Sequence, residues 1–182
     1  YMYELAIVVD STMKTECLTY YQTCILETSE FGQNWLSTLM NIFLDGNNNA
    51  MFGDGLSIYP LQYFETILKI QSADIGRIKP DFIVDYIKKS LHQNYYIVID
   101  CNIAKISLVD DSNFHIHEIL IYGYDDSEKV FLSPLLNKET GNPEVCKISY
   151  DRIQASYKDI REHYINNPDT EFWRSYSWYY PI

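Results

Sequence analysis

Positive charge is in short supply: 14 Lys and Arg stand against 25 Asp and Glu in 182 residues, a formal net charge of -11. Such a balance argues against nucleic acid as a partner, because phosphates want a basic face, and against an anionic membrane surface. The local basic groups, Lys88-Lys89 and Arg152 with Lys158, suit solvated helix faces. Cysteine is also sparse. Its four copies, at 17, 24, 101 and 146, make no C-x-x-C pair. That pattern disfavours a disulfide scaffold or a structural zinc site and suits separate thiols in a reducing compartment. No run approaches the roughly 20 apolar residues that span a bilayer. "YELAIVV" (3–9) predicts a strand, and its apolar run "LAIVV", closed by Asp10 and without a basic leader, is read as part of that strand and not as a signal peptide. The expected location is the cytoplasm. With 7 Gly and 6 Pro, no internal repeat and no linker beyond a brief "NNN", the expectation is a single domain over 1–182.

What the chain does have is apolar bulk. Hydrophobic residues make up 47% and charged residues 21%, the balance of a globular protein rather than a disordered one. Seventeen tyrosines bring rings that suit half-buried strands and cleft walls alike. Helical spacing is found in "CLTYYQTCILETSE" (17–30), with Cys17, Tyr20, Tyr21, Cys24 and Thr28 on one face. It recurs in "FGQNWLSTLMNIFLDG" (31–46), with Trp35, Leu39, Ile42 and Phe43 inward, and in "LQYFETILKI" (61–70). "PDFIVDYIKKSLHQN" (80–94) is amphipathic, with Asp81 near its cap and basic residues near its end. "NNNAMFGDGLSIYP" (47–60) suits a loop and a short strand. The second half is β-rich: "YYIVIDCNI", "HIHEILIYGY", "KVFLSP", "VCKISY" and "EFWRSYSWYY", with a hairpin across Asp125–Glu128 and one helix, "DRIQASYKDIREHY". The predicted class is α+β, a helical part over about 10–92 packed on an antiparallel sheet over about 93–182.

Chemistry could reside on two residues. Cys17 is expected in the first turn of its helix, where the macrodipole and unpaired N–H groups favour a thiolate. Those N–H groups can also receive an oxyanion in acyl transfer. Against this stands the plain alternative of a small buried hydrophobe, the expectation for Cys24, Cys101 and Cys146. His117 opens the stretch "HEILIYGYDDSEKVFLSP" (117–134), where alternation places His115, His117, Ile119 and Ile121 on one face. A His-x-His pair could instead present two metal ligands, but no third is evident, so neither metal nor cofactor is expected. The plain alternative for His117 is a satisfied core histidine.

A cysteine at a helix start, then a histidine entering a strand about a hundred residues on, then a hairpin, is the chain order of papain-like cysteine enzymes. The 117–134 stretch resembles the histidine segment of the bacteriocin-processing cysteine peptidases and of the butirosin-biosynthesis acyltransferase family: histidine, apolar strand, Gly123-Tyr124-Asp125, short turn, and a strand ending before Pro134. "FGDGLSIYP" (52–60) is similar to the glycine-rich segment of the butirosin-type family, and "IKKSLHQNYYIVIDCN" (87–102) to its helix, turn and aspartate-bearing strand, here Asp100. The resemblance covers most of residues 10–135; its motifs are individually loose and agree in their order.

The resemblance implies a papain-like fold with Cys17 as nucleophile and His117 as the base that takes its proton. It implies transfer of an acyl group from an acyl carrier protein, or a small acyl thioester, to an amine through an acyl-cysteine intermediate. The acidic charge is an obstacle to an equally acidic carrier protein and would need a local basic patch. The third triad member, an aspartate or asparagine before the proline, falls at Ser133, whose hydroxyl can accept from imidazole but brings no charge. The oxyanion glutamine six residues before the nucleophile is replaced by Ser11. Asn137, Asp125 and Asp100 are substitutes that the sequence does not rank. Thioesters are better electrophiles than amides, so incomplete machinery favours an acyltransferase over a peptidase. A cysteine peptidase or thioesterase on the same fold is the alternative enzyme, and a catalytically inactive papain-fold binding protein the alternative class.

Overall fold

In "YYIVIDCN" almost every position is apolar, the pattern of a strand covered on both faces. The computed structural model makes it the centre of a sheet. It describes residues 1–11, 17–45, 68–73, 78–106, 114–137, 142–167 and 175–179, without the side chains of 17–19, 38–45, 69–73, 136 and 175–179. The glycine-rich segment 52–60 and most of the helix expected over 61–70 lie outside these residues. The chain divides into two compact units, one of Tyr1–Leu5 with Ile70–Tyr179, the other of Ala6–Lys69 with Tyr180–Ile182.

The larger unit is mixed helix and antiparallel sheet, an α+β arrangement. One sheet has the order β1 (Met2–Glu4), β5 (Gly123–Asp125), β6 (Val130–Leu136), β7 (Pro143–Ser149). The other has the order β2 (Lys69–Ala73), β8 (Ser175–Tyr179), β3 (Tyr95–Asn102), β4 (Ile116–Ile121). Lys69 and Ile70, expected at the end of a helix, are strand instead. The strand expected over 3–9 is shorter: β1 ends at Glu4, and only the Leu5 N–H extends the pairing, to the Tyr122 carbonyl at 2.9 Å. Gly123 makes this approach feasible, since a Cβ there would sit 2.8 Å from both the Glu4 Cβ and the Tyr3 carbonyl oxygen.

Helix α3 (Ile83–His92) follows a single 3-10 turn at Pro80–Phe82, where proline costs no donor. It buries Ile83, Ile87, Ser90 and Leu91, while Phe82 points outward. The helix stops at Asn94, whose positive φ of 62° suits asparagine and whose N–H returns to the Leu91 carbonyl at 2.9 Å. A one-turn helix, α4 (Ile103–Ile106), follows β3. Helix α5 (Tyr150–Asn166) starts where the Ser149 hydroxyl accepts from the Arg152 N–H. Ile97, Ile99 and Cys101 of β3 lie opposite Ile121, Ile119 and His117 of β4. The apolar members of this face share one core with Ile83, Ile87 and Leu91 of α3 and Ile153 and Tyr157 of α5.

The smaller unit contains α1 (Cys17–Leu26) and α2 (Glu30–Asp45). Tyr20, Tyr21 and Cys24 are buried, but so are Gln22, Thr23, Ile25 and Leu26, so burial does not single out the face read from the spacing. On α2 Leu36 is buried, beside the half-buried Trp35; the side chains of Leu39, Ile42 and Phe43 lie outside the described residues. Ser29 caps α2 by accepting from the Gly32 N–H at 3.0 Å. The segment before α1 is tied down by Tyr20 Oη donating to the Val9 carbonyl at 2.6 Å and the Val8 N–H to the Cys24 carbonyl at 2.9 Å.

Candidate functional site

Cys17 is the first residue of α1, as the spacing predicts, and its side chain lies outside the described residues. The other three thiols are all discouraged from ionising. Burial is the main cause each time: it pushes Cys24 up to about 12 and raises Cys101 and Cys146. Ser11, at the oxyanion position, is fully buried and spends its hydroxyl proton on Thr23 Oγ1 at 2.6 Å. Its side chain is therefore no oxyanion donor in this arrangement. Further along α1, Gln22 is fully buried, and neither atom of its carboxamide has a hydrogen-bond partner.

Cys17 belongs to the smaller unit and His117 to the larger. In the larger unit, the polar end of the β3–β4 ladder is built around Asn102. Its buried carboxamide oxygen accepts from the Ala104 N–H at 3.2 Å and the His115 N–H at 3.4 Å. Its Nδ2 donates to Asp159 Oδ2 of α5 at 3.0 Å. The Asn102 N–H donates to Ser156 Oγ at 2.7 Å, and the Ile103 N–H to the His115 carbonyl at 2.9 Å. One side chain thus ties the end of β3, the entry to β4 and α5 together.

That clamp presents two histidines side by side. The rings of His115 and His117 stack at 6.4 Å with planes 18° apart, consistent with the shared face read from alternation. Glu118 and Asp100 are direct cross-strand partners on the opposite face. Asp100 is raised from 3.8 to about 6, first by burial, then by the charge of Glu118, against a hydrogen bond from Tyr164 Oη at 3.5 Å. Tyr164 is itself pushed up to about 12 by burial and by Asp100. Glu118 Oε2 lies 3.3 Å from His117 Nδ1. His163 of α5 adds a third imidazole, packed at 4.9 Å on Phe114 and at 5.6 Å on Tyr164.

Ser133 does not occupy the expected place. It is fully buried, its hydroxyl has no hydrogen-bond partner, and so the bond to His117 is not made. The reason is register. Gly123 pairs with Leu132, and the Tyr122 N–H also donates to the Leu132 carbonyl, so Ser133 lies towards the Tyr122 end of the strand and not beside His117. Two of the substitutes are engaged elsewhere. Asp125 takes both the N–H and the hydroxyl of Ser127 in the turn, and Asn137 donates to Glu144 at 3.2 Å across the β6–β7 pair. Asp100 reaches the cluster, though on the other face from His117. Glu118, Asn102 and Tyr164 were not singled out from the sequence; the one available signal was Glu118 directly following a candidate base.

Among the described residues no group of three His, Cys, Asp or Glu side chains is arranged to hold a metal ion, and no helix is long and apolar enough to cross a membrane. The sequence matches no protein-family model and no curated protein.

Proposed function

We propose that the protein is a cysteine-dependent acyltransferase on a papain-like fold, in which Cys17 attacks an acyl thioester and His117 takes the thiol proton. The observation that carries this is the contrast among the four thiols. Three sit where burial opposes the thiolate, whereas Cys17 opens a helix, where the dipole and unpaired N–H groups favour it. The stacked histidines, with the Glu118 carboxylate 3.3 Å from His117, support the reading of His117 as the base. Attack of the thiolate on the thioester carbonyl forms an acyl-cysteine and releases the donor thiol. An amine then attacks the acyl group, restoring the cysteine. Carrier-protein or small acyl thioesters are the proposed donors, and the cytoplasm the proposed location.

Intact mass after incubation with a panel of acyl thioesters tests this. An acyl adduct is expected on the native chain and on Cys101→Ser, and is expected to vanish in Cys17→Ser. Absence of an adduct with every thioester, together with first alkylation at Cys146, overturns it. The missing Ser133–His117 bond favours a second reading, a binding protein that keeps the fold without catalysis. That reading requires Cys17 alkylation to be indifferent to His117→Ala.

A further inference from the structure

We propose that Glu118 is the positioning residue of His117, its carboxylate accepting the Nδ1 proton so that the ring's basic lone pair lies on Nε2. The proposal rests on the acyltransferase reading for its purpose, and on geometry for its substance. Glu118 Oε2 is 3.3 Å from Nδ1, and both side chains are about one-third exposed. Which nitrogen of a neutral imidazole carries the proton is set by the bond that the other nitrogen makes. Ser133, the residue the sequence puts in this role, bonds to nothing.

The odd feature is that Glu118 reaches His117 at all, since neighbours along a strand point to opposite faces. Asp100 supplies the reason. It stands directly across the ladder from Glu118, and like charges in that position repel. Asp100 is held on its own face by Tyr164 Oη, while Asp159 accepts from Asn102 Nδ2 and pairs with Lys105 at 3.9 Å. Leaning over the strand sets the Glu118 carboxylate 3.3 Å from His117 Nδ1, where it would accept that proton. His115, with its ring centroid 6.4 Å from that of His117, is beyond hydrogen-bond reach of that ring. His117 is thus aimed by its own sequence neighbour, with an opposing aspartate keeping that neighbour in place.

Long-range 15N NMR of the full chain at pH 8 reads the tautomer directly. His117 should be the Nδ1–H form in the native chain and in Ser133→Ala. It should shift towards Nε2–H in Glu118→Ala and return in Glu118→Gln, whose carbonyl oxygen accepts the same proton. The rate of Cys17 alkylation should fall about three- to tenfold in Glu118→Ala. An unchanged His117 tautomer in Glu118→Ala overturns the inference, as does a change in Ser133→Ala. If Glu118→Ala moves the tautomer while neither it nor His117→Ala alters Cys17 alkylation, Glu118 positions the ring as proposed and the acyltransferase reading fails instead. The dispersion of the same spectra reports whether each variant is folded.

Discussion

The two ends of the larger unit's sheet system use nearly the same side chains to opposite ends. Near the turn of the β5–β6 hairpin, Lys88 Nζ lies 2.5 Å from Asp126 and 4.7 Å above the Tyr124 ring. Tyr150 Oη donates to Asp126 at 3.0 Å, and His92 Nε2 lies 2.8 Å from Tyr124 Oη. Lys88 there has both an opposite charge and aromatic partners, and Asp126 has both a cation and a phenol donor. At the other end, two carboxylates face each other across the ladder, two imidazoles stack, and the tyrosine that touches Asp100 is a weak donor at 3.5 Å. Histidine, acid and tyrosine are therefore not by themselves signs of chemistry. What distinguishes the ends is compensation: one lowers the pKa of its aspartate, the other raises it.

Both ends depend for their register on the apolar middle of the ladder. Ile119→Ala, at a fully buried position paired with Ile99, should cost about 3 kcal/mol. Denaturant unfolding measures it, and a loss below 1 kcal/mol would mean that the register is held elsewhere.

Asp100 tests the uncompensated end. Its folded value, about 6, lies above its ordinary 3.8, so the native state binds more protons than the unfolded chain between those values. Its contribution to stability is therefore most favourable below about pH 4 and is lost as pH rises through about 6. Asp100→Asn should raise stability at pH 7.5 by up to about 2 kcal/mol and flatten the pH dependence between 4 and 6. A variant less stable at pH 7.5 would show that the carboxylate is compensated after all.

A smaller effect is expected at Ser133, whose buried hydroxyl bonds to nothing. Ser133→Ala should be neutral or stabilising by about 1 kcal/mol, because it removes a desolvated, unpaired group. Loss of stability together with loss of the acyl adduct would restore Ser133 to the triad.

The smallest effect is expected at the compensated end, where Lys88 and Asp126 remain partly exposed. Lys88→Met should cost only about 0.5 kcal/mol, and less in high salt. A loss above 2 kcal/mol, measured by the same unfolding titration, would make that end more than a surface ion pair.

The elements best anticipated from sequence were those whose residues alone carry the reason. The amphipathic run ending in "KKSLHQN" forms α3 and stops at Asn94, and "YYIVIDCN" forms β3 throughout. The turn after Asp125 is written in its own side chain, which takes the N–H and hydroxyl of Ser127. Cys17 at the start of a helix was legible for the same reason: periodicity is local.

Alternation along β4 likewise determined that His115 and His117 share a face, because side-chain direction in a strand follows from chain geometry. Sequence could not determine what stands across from them. Whether Ser133 meets His117 depends on the register of β6 against β5, and here Gly123 opposite Leu132 sends it elsewhere. Asp100 meets Glu118, and Asn102 meets Asp159, only because strands and helix from distant parts of the chain are brought together. Local order comes from spacing along the chain; partnership, and the burial that does most to shift Asp100, come from packing across it.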